Sequence, residues 1–581
     1  MQRTIIQRPR TGQIVDATLH HLLQRVYQGR GVNHPSELET GLAQLHPWQT
    51  LSNIDHASAL LYQAWLEQKR VLVIGDFDAD GATATTIALR ALKSLGFQSV
   101  NFLVPNRFTY GYGLTPEIVD AAAHFSPQLI ITVDNGIASH RGVETAKAKG
   151  IQVLITDHHL PGPTLPAADV IVNPNLPEDT FPSKAMAGCG VIFYVMLALR
   201  ASLRAHHHFN ETLPEPNLAE LLDLVALGTV ADVVPFDQNN RIFVHQGIKR
   251  IQAKHCCPGL LALLEVAGRQ PEQISATDLA YALAPRLNAA GRLDDMSLGI
   301  HCLLTDDLEE ARRIATQLNN LNQERRTIET QMQQEAWRNL SYDSFHTINA
   351  QLPAGICLFD EKWHQGVIGI LAGRIKEKLH RPVIAFAKVS DTELKGSARS
   401  IPGIHIRDIL DYIATRHPDL LEKFGGHAMA AGLSLKQTHF SRFARVFNAA
   451  IEKYSTPDIL KAQVLTDGEL QLTDISLELA TLLRQSGPWG TAFPEPLFDN
   501  HFQLLQQTLL ADKHLKMRLS LPGHSTILDA IAFSVDREQW PNYQANTIHA
   551  VYRLDINEYR GLRKVQLIID QFDATPTLPQ L

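Results

Sequence analysis

Residues 71–81 read VLVIGDFDADG, and this stretch decides the fold. Four apolar, mostly β-branched residues run into a glycine, and aspartates then occupy alternate positions as Asp76, Asp78 and Asp80. A segment rich in Ala and Thr, with helical spacing, follows Gly81. The pattern predicts a buried strand, an acidic turn and a helix that begins near Gly81.

The aspartates of this turn indicate a bound cation. Carboxylates this close repel one another, and repulsion together with desolvation keeps one or more of them protonated unless a cation intervenes. A single aspartate is enough to cap the helix and complement its dipole. The run also matches the start of an EF-hand calcium loop, but Ile87 stands where that loop requires a glutamate. A hard divalent ion at the end of a strand is therefore the favoured interpretation.

Two further segments repeat the pattern of a strand followed by polar residues. LIITVDNG carries Asp134, and VLITDHH carries Asp157, His158 and His159. Successive strand–helix units build a parallel sheet, and sites in such sheets form beyond the carboxyl ends of the strands. Chain order therefore predicts that Asp134 and the two histidines converge with the aspartates of the first turn. Asp232, in the apolar run LVALGTVADVVP, is a further candidate.

The ligand types indicate which metal would bind. Five or more carboxylates with imidazole, and no cysteine, suit Mn²⁺ or Mg²⁺ better than a structural zinc. That many ligands would hold a pair of ions. Adjacent ions suit phosphoester hydrolysis, because one activates water and both stabilise the charge that develops on phosphorus. The residues alone therefore predict a two-metal hydrolase that acts on a phosphoester.

The motifs GDFDADG, VDNG, TDHH and GTVADVVP, in this order, resemble those of the DHH phosphoesterase family. Within that family the resemblance is to the bacterial single-strand-specific 5′→3′ exonucleases, and it covers nearly the whole chain. It implies Mn²⁺ or Mg²⁺ as the cofactor, with two ions expected. It also implies that Asp134 takes part in catalysis and that His159 steadies the scissile phosphate. The implied metal ligands are Asp76, Asp78, Asp80, Asp134, His158 and Asp232.

Two other stretches could contact substrate near the metal. Arg107 and Tyr112 lie in VPNRFTYGYGL, where a guanidinium and a ring could touch a phosphate and stack a base, although the residues alone favour an ordinary turn. Asn288 and Arg292 lie in LAYALAPRLNAAGRL, where a buried arginine needs either a phosphate or an internal carboxylate. The family carries both stretches near its site. The resemblance implies that the first pair contacts the substrate and the second pair holds the scissile phosphate.

The chain has 581 residues, which is too many for one core and predicts three or more domains. The strand–helix repeats predict an α/β protein, and a helical stripe over 306–340 that lacks Gly and Pro predicts a long connector helix. The predicted divisions are an N-terminal helical appendage (1–55), a DHH parallel-sheet catalytic domain (56–300), the connector helix (301–345), a second α/β, DHHA1-type substrate-binding domain (346–455) and an OB-like single-strand-binding β-barrel (456–581).

The second α/β region carries residues suited to gripping an anion. LKGSARSI contains Ser397 and Arg399, and KFGGHAMAAGL contains Gly426 and His427. A hydroxyl, a guanidinium and backbone N–H groups exposed by glycine together suit a phosphate. The GGH sequence could instead be a tight turn with a capping histidine. Both segments resemble motifs of the DHHA1 domain, and this implies that the four residues contact the substrate strand.

The C-terminal region alternates in polarity. In LKMRLSL, Lys516 and Arg518 face away from the intervening apolar residues, and further alternating segments follow, one of which carries Arg553. Several such strands predict a small β-barrel of the OB type. The basic residues suit a groove for a single strand, and the alternative is a solvated strand face. Lys516, Arg518 and Arg553 are therefore predicted to contact the strand.

Composition limits the class of protein. The net charge of −7 does not indicate a nucleic-acid binder. Any surface that binds nucleic acid must therefore be a local concentration of Lys and Arg. Five scattered cysteines without a CxxC pair indicate reduced thiols in a cytoplasmic protein. No signal-like or membrane-length apolar run is present, and no membrane partner is expected. The expected partners are single-stranded DNA, a single-strand-binding protein and a helicase, and the chain is expected to act as a monomer.

Together with the prediction of a two-metal hydrolase, the family resemblance implies a metal-dependent 5′→3′ exonuclease that degrades single-stranded DNA to 5′-mononucleotides in DNA repair and recombination. The alternative is a DHH-type phosphodiesterase for small molecules or oligonucleotides. The basic β-domain argues against that alternative, because a small ligand has no use for such a surface. A non-catalytic metal- or nucleotide-binding scaffold is a third interpretation, but such a scaffold would not require all the acidic motifs to be intact.

Overall fold

The computed structural model describes residues 3–106, 112–344, 352–537, 539–559 and 561–574. The chain divides into two compact units. The first unit consists of Arg10–Asn322 with Gln485–Glu495, and the second consists of Met1–Pro9, Gln323–Arg484 and Pro496–Leu581. Neither unit is a single uninterrupted stretch of sequence.

The strands are β1 (Thr4–Gln7), β2 (Val71–Ile74), β3 (Val100–Leu103), β4 (Leu129–Val133), β5 (Gln152–Thr156), β6 (Val170–Val172), β7 (Ile356–Phe359), β8 (Val383–Lys388), β9 (Glu393–Arg399), β10 (Lys423–Gly426), β11 (Ala430–Lys436), β12 (Gln463–Thr466), β13 (Phe498–Leu510), β14 (His514–Ser520), β15 (Leu528–Ala532), β16 (Thr547–Tyr559) and β17 (Leu562–Ala574).

The α-helices are α1 (His21–Gln28), α2 (Ile54–Leu66), α3 (Ala79–Ser94), α4 (Pro116–Ala122), α5 (His140–Ala148), α6 (Gly188–Ala205), α7 (Leu222–Ala231), α8 (Gln238–Gln252), α9 (Pro258–Val266), α10 (Ala276–Asp278), α11 (Ala284–Leu293), α12 (Ser297–Leu304), α13 (Leu308–Ser344), α14 (Ile368–Leu379), α15 (Ile406–Arg416), α16 (Phe440–Tyr454) and α17 (Leu477–Gln485). A π-helical segment (Leu279–Leu283) connects α10 to α11. Short 3₁₀ turns cover Pro35–Leu38, Leu42–Gln44, Trp48–Thr50, Ala123–Phe125, Leu218–Leu221, Pro271–Gln273, Gln437–His439 and Leu472–Asp474.

The sheet of the first unit has five parallel strands in the order β3–β2–β4–β5–β6. Strands β2 and β4 are buried at every position, as expected for a parallel sheet that is covered on both faces. The chain goes from β2 to β3 on one side and then to β4 on the other, so the strand order reverses between β2 and β4. Ligands of open α/β sheets bind at such a reversal, beyond the carboxyl ends of the strands. The predicted parallel sheet is confirmed, and the first two acidic motifs follow these two strands.

Helix α3 begins directly after the first acidic turn. Asp78 is its N-cap, and the carboxylate accepts a hydrogen bond of 3.0 Å from the N–H of Gly81. The helix is buried along most of its length and packs against α6 and α7. Of the described helices, α6 alone is long and apolar enough to cross a membrane, but 67% of it is buried inside the protein. Its apolar surface is thus used in packing.

The second unit contains a sheet of order β10–β11–β9–β8–β7, which is antiparallel except at the β7–β8 pair. Phe386, Phe443 and Phe447 are fully buried in its core. The predicted long helix is confirmed as α13, which contains the boundary between the two units. Arg325, which interrupts its apolar stripe, is buried and donates a hydrogen bond to Glu329 one turn later, so its charge is paired.

The C-terminal part of the second unit is a closed barrel in which β13, β14, β15, β17 and β16 are each paired with two neighbours. The alternation read from LKMRLSL is confirmed, because Met517 lies inside while Lys516 and Arg518 are exposed. The barrel confirms the predicted OB-like domain. Strand β1 pairs in parallel with β12, so residues 4–7, which the sequence analysis placed in a helical appendage, form a strand of the second unit.

Residues 485–495 belong to the first unit, although the chain on both sides of them belongs to the second. The rings of Trp489 and Phe493 stack with centroids 5.3 Å apart, and Tyr27 of α1 packs 6.1 Å from each of them. The guanidinium of Arg241 lies 4.3 Å from the centre of the Phe493 ring. Aromatic and cation–π contacts therefore anchor this segment to α1 and α8.

Candidate metal site and its surroundings

Asp80 is the most deeply enclosed acid of the first turn. It lies in the first turn of α3 with 1% of its surface exposed, and its carboxylate accepts hydrogen bonds from the N–H groups of Gly188 at 2.7 Å and Cys189 at 3.0 Å. These are the first N–H groups of α6, where the helix dipole favours a negative charge. Burial and, after it, the charge of Asp78 raise the pKa of Asp80 to about 6. Asp80 thus links the acidic turn to a second helix.

Asp134 follows β4 and meets the third motif. Its backbone has φ 61°, in the left-handed region, and its side chain is buried. Nε2 of His158 lies 3.0 Å from Oδ1 of Asp134 and 3.5 Å from Oδ2 of Asp232, which caps the C-terminus of α7. Burial, and then the charge of Asp80, raise the pKa values of Asp134 and Asp232 well above those of ordinary aspartates. The motifs predicted to converge do so.

Side chains from all the acidic motifs form three overlapping groups in which the possible ligand atoms lie within 4.8 Å of one another. Among the described residues, no donor hydrogen-bonds the buried Oδ1 of Asp134, despite its closeness to His158. Carboxylates with raised pKa values and an imidazole nitrogen directed at one of them fit a divalent cation that prefers oxygen and imidazole ligands. The groups are Asp76 with Asp78 and Asp134; Asp80 with His158 and Asp232; and Asp134 with His158 and His159.

Asp157 holds the two histidines and was not among the predicted site residues. Its Oδ1 accepts hydrogen bonds from Nδ1 of His159 at 2.8 Å and from the N–H groups of His158 and His159 at 2.7 and 3.1 Å. Burial by itself lowers the pKa of His159, but the hydrogen bond and charge of Asp157 outweigh it and raise the value to about 9. His159 is therefore a cation at neutral pH. The sequence signal that could have identified Asp157 is its position as the carboxylate at the start of the DHH sequence.

Two asparagines after β6 also support the histidines. The side-chain amide of Asn173 donates to the carbonyl of His159 at 2.9 Å, and that of Asn175 donates to the carbonyl of His158 at 2.6 Å. These bonds fix the backbone from which both imidazoles project. The segment VNPN that carries them reads as a loop, and nothing in its pattern marked it as part of the site.

Tyr112 lies beside the groups of candidate metal ligands, near which the family resemblance placed it. Its hydroxyl donates a hydrogen bond of 3.1 Å to the carbonyl oxygen of Asp134 and lies 3.4 Å from Nδ1 of His159. The side chain remains 48% exposed. Arg107, predicted with it, lies outside the described residues.

Asn288 and Arg292 lie on one helix, α11. The side-chain oxygen of Asn288 accepts a hydrogen bond of 2.8 Å from the N–H of Ala79, the first residue of α3. Arg292 stands in the last turn of α11 and is partly buried. The segment thus reaches the metal-bearing turn, and the role of both side chains at a phosphate stays a prediction.

In the second unit, the four predicted substrate residues gather on neighbouring strands. Arg399 of β9 donates to the hydroxyl of Ser397 at 3.1 Å, and burial lowers the pKa of Arg399. Strand β11 lies between β9 and β10, the strand that ends at Gly426. The N–H of His427 donates to the carbonyl of Ala430, the residue opposite Arg399, at 2.8 Å. Ser397 and Arg399 are thus in contact with each other, and the backbone of His427 is bonded to the residue that lies opposite Arg399 in the sheet.

The basic residues of the barrel share its outer face. Lys516 and Arg518 line a cavity of about 460 Å³ on β14 and its neighbours. Lys516 is opposite Ile531, Ile531 is opposite Ile568, and Ile568 is opposite Arg553. Lys516 and Arg553 therefore belong to one row across four strands, with apolar side chains between them.

The chain matches known families along most of its length. The DHH family N-terminal domain matches residues 70–229, the DHHA1 domain matches residues 350–453 and the RecJ OB domain matches residues 466–571. The single-stranded-DNA-specific exonucleases RecJ of Salmonella typhimurium and Escherichia coli are each 53% identical over 555 residues, which is 95% of this chain and 96% of each relative. The crystal structure of Thermus thermophilus RecJ with Mn²⁺ superposes with a TM-score of 0.77 at 30% identity, covering 96% of this chain and 76% of that one.

Proposed function

Because the chain belongs to the RecJ family of single-stranded-DNA-specific exonucleases, within the DHH phosphoesterases, we propose that it removes 5′-mononucleotides from the 5′ end of single-stranded DNA in DNA repair and recombination. The observation that carries the proposal is the set of three overlapping ligand groups at the point where the strand order of the sheet reverses. A site of that composition is suited to metal-assisted cleavage of a phosphoester.

The cofactor of the proposed reaction is Mn²⁺ or Mg²⁺, the ions named for the related Thermus structures. Two ions would be held by the six predicted ligands, with Asp134 and His158 each belonging to more than one ligand group. When bound, such ions activate water and stabilise charge on the phosphate. Whether Asp76 contacts an ion directly or through a neighbour, its position beside Asp78 and Asp134 supports a role in the site.

The chain's own residues would bind and orient the scissile phosphate. His159, kept protonated by Asp157, would donate to a phosphate oxygen, and a charged donor makes the stronger hydrogen bond. Asn288 and Arg292 would hold the same group from α11, and Arg107 with Tyr112 would contact the adjoining nucleotide. The Asn288 amide group supports this role, because its oxygen is engaged at Ala79 while its nitrogen is the atom that can donate.

The single strand would be held by residues of the second unit. Ser397, Arg399, Gly426 and His427 offer a hydroxyl, a guanidinium, a flexible backbone and an imidazole within the second unit. Lys516, Arg518 and Arg553 supply positive charge on the outer face of the barrel, with Ile531 and Ile568 between two of them. Charge plus apolar surface suits a single strand, whose phosphates and bases need both.

We also propose the following domain roles and partners. Residues 56–300 would be the catalytic domain, 346–455 and 456–581 the substrate-binding domains, and 301–345 the connector. The appendage would be residues 1–55 without the strand at residues 4–7, which belongs to the second unit. A single-strand-binding protein and a helicase would deliver the substrate to a monomer in the cytoplasm. Light scattering of the purified protein and capture with either partner would test these assignments separately.

The test of the function uses one substrate panel in Mn²⁺ and in Mg²⁺. A 5′-labelled single strand, a blunt duplex, a dinucleotide and pyrophosphate are offered to the wild type and to the Asp134→Ala and Asp120→Asn variants. Asp120 is an exposed acid paired with Lys149 and serves as the control. Release of labelled mononucleotide from the single strand by the wild type and Asp120→Asn, but not Asp134→Ala, is expected. Preference for the dinucleotide or pyrophosphate would instead favour a small-molecule phosphodiesterase.

A further inference from the structure

Phe77 stands between two of the predicted metal ligands but offers no ligand atom itself. It lies between Asp76 and Asp78 in the acidic turn and is only half-buried. Its ring centroid is 6.0 Å from that of Tyr112, with the planes at 76°. The Tyr112 ring is in turn 5.9 Å from that of His159, at 80°. An edge-to-face row of aromatic rings thus runs alongside the acidic groups.

The backbone at Phe77 packs directly against helix α11. A Cβ atom at Gly291 would lie 1.8 Å from the carbonyl oxygen of Phe77, so the two backbones are in direct contact. Two residues after Phe77, the N–H of Ala79 donates to Asn288 of the same helix. These contacts place the backbone of the turn against α11, and so they position Phe77 before any substrate arrives.

Tyr112 is held in place by a hydrogen bond from its hydroxyl group. Its hydroxyl is bonded to the carbonyl oxygen of Asp134, yet nearly half of the side chain remains exposed. A tyrosine anchored at its hydroxyl presents its ring rather than its polar tip. Phe77 and Tyr112 together therefore form an apolar wall at the edge of an otherwise acidic site.

Core packing does not account for this wall. The phenyl rings that serve the core of the first unit, such as Phe181 and Phe243, are fully buried. Phe77 instead keeps a partly exposed ring beside the predicted metal ligands, so part of its apolar surface can be covered by a ligand. A nucleotide fits both parts of the site, because its phosphate can approach the metal ligands while its base stacks on the apolar wall. Stacking of a base on an aromatic ring tolerates any base.

This step rests on the proposed function. We propose that Phe77, with Tyr112, is the stacking surface for the base of a nucleotide that flanks the scissile phosphate. Phenyl offers no hydrogen-bonding group, so the contact does not depend on which base is present. It positions the strand end beside the metal ligands while leaving the enzyme indifferent to sequence, as an exonuclease that removes successive nucleotides requires.

The experiment compares an unmodified single strand with strands that carry an abasic analogue at the first or the second nucleotide from the 5′ end. In Mn²⁺, the wild type should cleave at least one abasic strand with kcat/KM reduced roughly 5- to 150-fold, the range that loss of one stacked base predicts. Phe77→Ala and Phe77→Leu should cleave the unmodified strand at a rate close to that of the abasic strand. Phe77→Tyr, which keeps the ring, should retain most of the wild-type discrimination.

The controls separate stacking from damage to the metal site. The rise in Tm that Mn²⁺ induces should be the same in each Phe77 variant as in the wild type, and Phe125→Ala, which removes an exposed phenyl from a 3₁₀ turn, should behave as the wild type throughout. Equal slowing of all strands by Phe77→Ala, or unchanged discrimination, would overturn the stacking role alone. A wild type that cleaves none of the strands would overturn the proposed function, and the stacking role with it.

Discussion

The side-chain oxygen of Asn288 accepts a hydrogen bond of 2.8 Å from the backbone N–H of Ala79, 209 positions earlier in the chain. Ala79 is the first residue of α3, and N–H groups at that position have no partner within the helix. One amide group therefore ties α11 to the turn that bears Asp76 and Asp78. Asn288, which the family resemblance assigns to binding the phosphate, therefore also positions the acidic turn of the candidate metal site.

Replacing Asn288 separates these two tasks. Asn288→Ala removes the acceptor at Ala79, and we expect a loss of about 1–2 kcal/mol in the free energy of unfolding together with a fall in nuclease activity. Asn288→Asp keeps an acceptor and should keep most of the stability, but it removes the N–H donor and adds negative charge near the phosphate. Urea unfolding and kcat/KM would be measured on both. Full activity in Asn288→Asp would argue against a phosphate contact.

Asp157→Asn should change the pH dependence of the reaction. His159 has a pKa of about 9 because Asp157 bonds and faces it, and its protonated form is the one proposed to donate to phosphate. Without the carboxylate charge this pKa falls, so His159 loses its proton at lower pH. We expect the alkaline limb of the kcat/KM profile to move to lower pH in the variant. An unmoved limb would mean that His159 is not the donor.

Removal of the metal should make stability depend on pH. The pKa of Asp80 in the folded protein is raised from 3.8 to about 6, so the stabilisation present below the unfolded value is lost as pH rises through about 6. We therefore expect the Tm of the protein in EDTA to fall between about pH 4 and pH 6, the interval between the unfolded and folded pKa values of Asp80. The increase in Tm caused by Mn²⁺ should grow over the same interval, because the ligands must be deprotonated to bind. Asp80→Asn should flatten the decline seen in EDTA.

Gly228→Ala should damage the metal site through packing. A Cβ at Gly228 would lie 2.3 Å from Oγ1 of Thr83 and 2.8 Å from Oδ1 of Asp80. Overpacking of this kind costs about 1–3 kcal/mol, and here it also displaces a carboxylate. We expect lower Tm and weaker Mn²⁺ binding by calorimetry. Gly373→Ala is the matched control, since a Cβ at that helical position meets, among the described residues, nothing within 4 Å beyond its chain neighbours and the backbone of its own helix.

Lys516→Ala should weaken binding of a single strand and reduce its salt dependence. If Lys516 neutralises one phosphate, the slope of log K against log salt should become shallower by about 0.7. Fluorescence anisotropy with a labelled strand at several salt concentrations, without divalent metal, gives that slope. Lys93→Ala, on the last turn of α3, is the control for loss of a lysine elsewhere. An unchanged slope would place the strand off this face of the barrel.

The sequence could predict those features that a single segment encodes. A buried strand followed by Asp76, Asp78 and Asp80 is a local pattern, and parallel-sheet geometry then brings it to Asp134 and His158 without further information. The alternation around Lys516 likewise fixes which side chains face outward once a barrel forms. These parts of the fold and of the candidate site could be predicted from the spacing of polar and apolar residues and from the order of the motifs in the chain.

Features that depend on contacts between distant segments could not be predicted. Nothing near Asn288 indicates that its oxygen meets Ala79, and nothing in the TIIQ segment indicates that β1 pairs with β12. The role of Asp157 was missed for a different reason. Its motif supplies a carboxylate and two imidazoles, and only the side-chain directions decide which of them supports the others.

The packing of residues 485–495 onto α1 and α8 has a consequence for how the gene that encodes this protein can be divided. A gene cut after codon 322 would encode nearly all of the metal-bearing unit yet omit the segment that covers Tyr27 and Arg241. The reciprocal fragment would lack strand β1, the partner of β12. A single contiguous gene fragment therefore cannot encode either unit intact without also encoding part of the other unit.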